Sequence, residues 1–485
     1  MNEENSTISC GVDSDYALGF SDQTMEWTEE PAILTGRIPD WLIGTLYRNG
    51  PARFNLPDGT KIRHWFDGFA MVHRINITLD RITYTNRFLE TDYYQESMKR
   101  GKLWGRGFSG WRMSPWKKLR SFFQPLPLDN TDVHFANLGQ DMVALTEVTQ
   151  PVAFDPETLE TKGHSRFRDN FKDPVMGVHI HQDPVYGGWL DFMVAYGRQS
   201  YYHIFRVRPG ETRRELVASL PVKKPAYMHS FAVTKRYAIL VEPPFRMNPL
   251  AFLLGLDAFI DSFHWEENRD TTFRIVDLQD GTEKKLLGHP LFCYHTVNAF
   301  EDGDKIILDL ISYPDSSVVH AHDINRLTDL ATWPHPPPRL ERFTLDLATE
   351  TVTSFYASQT LMELPRINYG RCNGMPYQYC YALIASTGHF SDGLIKWDSK
   401  TGREWKIQQK GLFPSEPVFV PRPGSTEEDD GVVLSTALCG EKKTSVLLVL
   451  DAKSFTEIAR AELPQIIPFG FHGVFNLKQD LNQAL

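Results

Sequence analysis

The stretch GVVLSTALCGEKKTSVLLVLDAK, residues 431–453, holds two short apolar runs, Val432–Thr436 and Ser445–Leu450, the second closed by Asp451-Ala452-Lys453. Runs of this length, rich in branched side chains and bounded by turn residues, favour strands over helices. The same pattern recurs at Met142–Leu145, Tyr237–Val241, Lys305–Leu310 and Tyr381–Ala385. Aromatics at 12%, 31 Pro and 33 Gly, spread along 485 residues, suit many strands joined by turns. Short strands in series, without a membrane-type alternation, leave a sandwich, a barrel or a propeller, and the length favours the propeller. At roughly seventy residues per blade, an all-β propeller of seven blades takes up residues 1–485 as one domain, although no repeat is visible by eye.

The formal charge of −10 shows no basic excess, so nucleic acid is excluded as an expected partner. Met1 to Asp15 is polar and acidic, without the basic start and apolar run of a secretory signal, and a cytoplasmic location is expected. The five cysteines are odd in number and contain no CxxC, which points to free buried thiols rather than disulfides or a thiolate metal site.

Two segments break the strand pattern. PLAFLLGLDAFIDSFHW, Pro249 to Trp265 within 243–267, is apolar but carries Asp257 and Asp261 at helical i,i+4 spacing. It is too short and too charged to span a bilayer. It reads either as a helix packed on the propeller or as an interfacial helix dipping into lipid. Residues 103–128 interleave Trp104, Trp111, Trp116, Phe122 and Phe123 with Arg106, Arg112, Lys117, Lys118 and Arg120, which suits a headgroup interface or a solvated loop with buried aromatics.

Of 16 histidines, four stand in apolar, strand-like settings: His179 in GVHIHQD, His229 in YMHSFAVT, His295 in FCYHTVNAFED and His472 in FGFHGVF. They are 50, 66 and 177 residues apart, beyond any local metal motif. A closed radial fold brings such positions together on one axis. Four neutral imidazoles suit Fe, Zn, Cu or Ni, and a six-coordinate iron(II) keeps two positions open. Carboxylates on the outer ring nitrogens would fix the tautomer; Glu147, Glu363 and Glu416, each amid apolar neighbours, are candidates beside the plainer reading of ordinary strand-end glutamates. His181, two residues from His179, leaves open which of the pair is the ligand. His64 and His73 read as structural, with Asp67-Gly68 as a turn.

Read with YRNGPARF (47–54), HWFDGFAMVH (64–73), PSEPVFVPRPG (414–424), EEDDGVVLS (427–435) and LDAKSFTEIARAELP (450–464), these segments resemble the carotenoid cleavage oxygenase family, in its animal central-cleavage and retinoid-isomerase branches. The resemblance runs from about Leu34 to Phe475, leaving 1–33 as an N-terminal arm, and the short loops are similar to those of a smaller microbial member. It implies a seven-bladed propeller capped by loops and short helices, with Fe(2+) on its axis. It places the ligands on His179, the first of its His-x-His pair, and on His229, His295 and His472. Glu147, Glu363 and Glu416 are implied as orienting three of them, and Thr146 as standing near an open coordination position. The family is monotopic, so 103–128 and 243–267 are implied as membrane-facing. Where relatives carry a Pro-Asp-Pro-Cys-Lys motif, this chain reads Ser114-Pro115-Trp116-Lys117-Lys118, which removes the lipidation cysteine.

The implied activity is dioxygen-dependent cleavage of a conjugated C=C bond of a carotenoid or apocarotenoid to two carbonyl products, with 15,15′ cleavage to retinal as first candidate. Phe88, Tyr227 and Tyr313 are candidate tunnel aromatics that would stabilise cationic character in a polyene. The rivals are a non-oxidative retinoid isomerase and ester hydrolase of the same family, a non-enzymatic interaction propeller, and a calcium propeller, the last at odds with an imidazole set.

Overall fold

The computed structural model describes residues 15–105, 107–109, 128–249, 258–329, 336–386 and 390–478. Its middle strands show why the apolar runs are continuous. Gly431–Cys439 and Thr444–Asp451 are buried at every position but the last, because each is covered on both faces by neighbouring sheets. Each such Val or Leu contributes about 1.5–3 kcal/mol of burial. Outer strands such as Arg214–Val222 intersperse buried and exposed positions, as one covered face requires.

Antiparallel sheets follow one another around a single axis as seven blades. Blade 1 is Gly473–Leu477, Gly44–Pro51, Ala70–Ile77 and Ile82–Phe88 from the inside outward; blade 2 runs from His134–Leu138 to Thr161–His164. Blade 3 starts at Val175–Met176 and His181–Gln182, and blade 4 at Ala232–Val233. Blades 5 and 6 share one long strand. Thr351–Arg366 first pairs with Arg339–Asp346 as the outer strand of blade 5 (Thr351 opposite Asp346). It then serves as the inner strand of blade 6 against Tyr379–Ile384 (Glu363 opposite Leu383). Blade 7 opens with Leu412–Pro414 and Val418–Pro421 and ends at Thr456–Glu462.

The ring closes twice. Gly473–Leu477, late in the chain, pairs with Gly44–Pro51 in blade 1, and Ile33–Gly36 pairs with Thr456–Glu462 in blade 7. Closure covers the edges that an open sheet would leave unpaired. The described part of the N-terminal arm is built into the ring: Glu30–Pro31 pairs with Thr83 and Tyr84, and Tyr16 and Phe20 are buried against Phe469.

The helix expected over Pro249–Trp265 is corrected at its described C-terminal end. Ile260–Ser262 is a single 3-10 turn, and Phe263–Trp265 is a strand paired with Phe245–Met247. Alternation decides this locally: Phe263 buries against Phe245 while His264 points out, and the pairing satisfies the backbone. Residues 250–257, with Asp257, lie outside the described residues, as do Arg106 and 110–127 of the aromatic-basic segment. What is described of that segment is anchored: the backbone N–H groups of Phe108 and Ser109 donate to the buried Asp67 carboxylate. Asp67 therefore closes the 3-10 turn Trp65–Asp67 and pins a loop, rather than forming a hairpin turn with Gly68. Among the described residues no helix is long and apolar enough to cross a membrane.

Candidate metal centre

The inner strands of four blades bring a histidine to the axis. His472 immediately precedes the inner strand of blade 1, His179 lies just before His181–Gln182 of blade 3, and His229 just before Ala232–Val233 of blade 4. His295 sits within Phe292–Asp302 of blade 5, at a break in register between Cys293 and Thr296. The four imidazoles meet: their candidate ligand atoms all lie within 4.8 Å of one another. Ring centroids are 4.4 Å apart for His179 and His472, 4.8 Å for His179 and His229, and 4.9 Å for His179 and His295.

The blades that supply no ligand supply the carboxylates. Glu147 follows the second strand of blade 2, Glu363 lies on the inner strand of blade 6, and Glu416 stands between the two inner strands of blade 7. Each faces the Nδ1 of a histidine: Glu147 that of His229 at 2.5 Å, Glu363 that of His295 at 2.6 Å, and Glu416 that of His472 at 2.7 Å. With Nδ1–H donating outward, the Nε2 lone pairs are left for the centre. His179 and His295 bear this out, for their Nε2 atoms are buried with no hydrogen-bond partner. Orphaned buried nitrogens are costly unless something binds them. Two such nitrogens among four converging imidazoles, backed by three carboxylates, fit a divalent transition metal held by His179, His229, His295 and His472.

The electrostatics keep these groups in ligating form. Burial, reinforced by the neighbouring imidazoles, holds His179 well below the ordinary histidine range, so it is neutral. Burial pushes the Glu363 carboxyl up, but His295, the Leu364 N–H and the Tyr313 hydroxyl pull it further down, and the net shift is downward. Leu364 itself sits in the left-handed region at φ 51°, a strained turn beside the carboxylate. Glu416 is also held below its usual range: burial opposes this, and Arg366, His472 and Arg48 outweigh it. Burial first, then the adjacent carboxylates, push the Tyr227 and Tyr313 hydroxyls up, so both stay protonated. Tyr227 donates to Glu147 at 2.7 Å and Tyr313 to Glu363 at 2.9 Å.

A cavity opens onto this centre. His229, His295, His472 and Glu363 form its polar floor, and Trp65, Phe66, Tyr294, Tyr313, Phe390 and Phe471 are its aromatic walls. A mostly aromatic lining with a few convergent polar groups suits an apolar small molecule. Of the expected tunnel aromatics, Tyr313 lines it. Tyr227 packs one layer behind, against Phe108 and Phe292. Phe88 lies on the outer strand of blade 1, stacked on Tyr94 under Arg53, and does not line this cavity. Thr146 is half-buried beside Glu147 at the end of Asp141–Leu145.

The ambiguity in the His-x-His pair resolves by contacts: His181 is taken up by Phe231 O and Tyr369, away from the cluster. His64 and His73 are structural, bonded to Val319 O and the Tyr84 hydroxyl. Sequence reasoning missed His322, Phe390 and His134; Trp65, Phe66, Tyr294 and Phe471 stood inside quoted motifs, but nothing local marked them as cavity wall. Among the described residues, Asp92, Asp129 and His164 form a second group at ligating distance. Asp129 is committed there to the Asp92 and Tyr93 N–H groups at the start of the helix Asp92–Arg100.

A closed ring of blades around an all-imidazole centre defines a propeller metalloprotein, and one whose centre opens onto an aromatic-walled cavity. The family model described as retinal pigment epithelial membrane protein matches residues 20–476, and the chain belongs to this family, that of the carotenoid cleavage oxygenases. It is 31% identical over 480 residues to the carotenoid isomerooxygenase of Galleria mellonella, covering 91% of this chain and 92% of that one. To the β,β-carotene 15,15′-dioxygenase of Rattus norvegicus it is 29% identical, covering 92% and 88%. The cobalt-substituted apocarotenoid oxygenase of Synechocystis superposes with a TM-score of 0.84 at 29% identity, over 96% of this chain and 98% of that one.

Proposed function

We propose that this chain is a non-haem iron(II) dioxygenase that cleaves a conjugated C=C bond of a carotenoid or apocarotenoid into two aldehyde or ketone products, the central 15,15′ bond being the first candidate. The observation that carries the reading is the floor of the cavity: three imidazoles of the centre face an aromatic-walled space that suits a polyene. Iron(II) bound there would supply the activation of dioxygen, which no side chain can.

The protein's own residues do the rest. Glu147, Glu363 and Glu416 hold the rings of His229, His295 and His472 in the tautomer that turns Nε2 inward. The walls exclude water and fix which bond lies over the centre, so position along the cavity selects the cleavage site. Ring faces of Trp65, Phe66, Tyr294 and Phe390 are suited to stabilising positive charge developing along the polyene. Delivery from a membrane surface goes with this reading, as does a cytoplasmic location, and the former is supported by the aromatic and basic composition of 103–128.

The test is incubation with β-carotene and with apocarotenals under air, followed by chromatography of aldehydes and an oxygen electrode. Two carbonyl products with matching oxygen uptake are expected. Conversion of a retinyl ester to a cis-retinol without oxygen uptake would replace this reading by isomerase and hydrolase chemistry. Absence of stoichiometric metal, with His229→Ala unchanged in every assay, would reduce the chain to an interaction propeller.

A further inference from the structure

Blade 2 also sends a histidine to the axis. His134 opens its inner strand, in the place where blades 1, 3 and 4 carry their ligands. Its ring centroid lies 5.2 Å from His472 and 5.8 Å from His179, just outside the four-histidine cluster. The residue is half-buried, and its Nδ1 is fully buried without a partner. The accessible side is therefore Nε2, which has no protein hydrogen-bond partner among the described residues. Neither His134 nor His179 lines the aromatic cavity, whereas His229, His295 and His472 do. The metal centre thus has a second side, away from the polyene space, and His134 stands on it.

Behind His134 the structure is polar and unsatisfied. Asn49 Nδ2 donates to the carbonyls of Thr131 at 2.9 Å and His134 at 3.4 Å, while Asn49 Oδ1 and Thr131 Oγ1 are buried without partners, as is His134 Nδ1. The same segment is laced to a ligand, for His472 N–H donates to Val133 O and Asn49 N–H to His472 O. Orphaned polar atoms on three residues that these hydrogen bonds tie together are what ordered buried water satisfies. That water would fix the His134 tautomer and aim Nε2 at the axis.

We propose that His134 completes a small-ligand pocket on this second side, its Nε2 hydrogen-bonding water or a small anion held beside the four imidazoles. The inference rests on the metal-centre reading and adds to it a ligand class: molecules of a few atoms that hydrogen-bond, kept apart from the apolar substrate. His134 acts as a positioning residue and not as a fifth ligand, since it lies outside the converging set.

The experiment loads the full chain with cobalt(II), measures metal content, and titrates azide by its visible bands in wild type, His134→Phe, His134→Leu and His134→Gln. Both apolar variants should keep full cobalt and bind azide roughly tenfold more weakly, the worth of one hydrogen bond to a charged ligand. His134→Gln, whose amide nitrogen stands about where Nε2 does, should restore most of the affinity. Unchanged azide affinity in a cobalt-replete apolar variant overturns the proposal, as does loss of cobalt from His134→Leu or His134→Gln, which would make His134 part of the cage. If wild type itself takes up no cobalt, the metal-centre reading falls along with this one.

Discussion

Arg48 and Glu416 form an ion pair at 3.0 Å, with side-chain exposures of 3% and 1%, and the other Glu416 oxygen accepts from His472 Nδ1. One carboxylate thus neutralises a buried guanidinium and orients a metal ligand. Removing one partner of such a pair strands the other charge at a cost of about 3–5 kcal/mol. Glu416→Gln should therefore lower stability by that amount and weaken metal binding as well. The double variant Arg48→Met/Glu416→Gln, which removes both charges, should recover much of the stability but not the metal affinity. Thermal unfolding of the metal-free forms reads the first effect and chelator competition the second. A Glu416→Gln protein as stable as wild type would show that Arg48 is compensated elsewhere.

Glu147 and Glu363 carry no such buried cation, and each is backed by a tyrosine hydroxyl. Their Gln variants keep the shape and lose the charge that strengthens the imidazole as a ligand. Metal affinity should fall by about 10- to 100-fold in each, with little change in stability. Tyr313→Phe, which leaves the carboxylate in place, should cost less. Competition against a chelator of known affinity ranks the series, and an order with Tyr313→Phe below Glu363→Gln would contradict the assignment.

Much of this centre is legible in the chain because its four histidines interrupt apolar strands, and only a radial fold reconciles such distant positions. The blades are legible for a related reason: strands covered on both faces, like Thr444–Asp451, are apolar throughout. What escapes is radial position. Phe88 and Tyr313 look alike in sequence, yet one ends an outer strand and the other lines the cavity. Glu363 reaches His295 because a single 16-residue strand crosses from blade 5 to blade 6, which no local pattern announces. The segment ending at Trp265 misleads because its apolar content satisfies a helix and a buried hairpin equally well.

His64 gives the fold a built-in acid sensitivity. It is fully buried, its Nε2–H donates to Val319 O at 2.9 Å, and its Nδ1 accepts from the Phe66 N–H at 3.2 Å. Burial pulls its pKa down from 6.5 to about 3, against the opposing pull of the Val319 carbonyl. A base depressed on folding takes up its proton in the unfolded chain first. Stability is therefore full above about pH 6.5 and is lost as the pH falls from there toward 3, at about 1.4 kcal/mol per pH unit for the one proton. His64→Gln, which retains a donor toward Val319, should flatten this slope by one proton between pH 6 and 4, values inside that window. Denaturant unfolding across the window measures it, and an unchanged slope would mean that His64 is protonated in the folded protein.

The cavity can be narrowed without touching the metal. Ala385 lines the wall next to Phe390, and Tyr313 and Leu364 line the same space. Its methyl is the smallest side chain there, so Ala385→Phe projects a ring into the space that must hold the substrate. A bulky side chain in a fitted cavity costs about 1–3 kcal/mol when it must displace something. Here the thing displaced is the polyene, so kcat/KM for a long carotenoid should fall about tenfold or more while a shorter apocarotenal is cleaved nearly as before. Metal content and melting temperature should stay at wild-type values, which separates a blocked cavity from a damaged centre. Equal losses for long and short substrates would mean that the polyene enters along a different path, on the side of the centre where His179 stands.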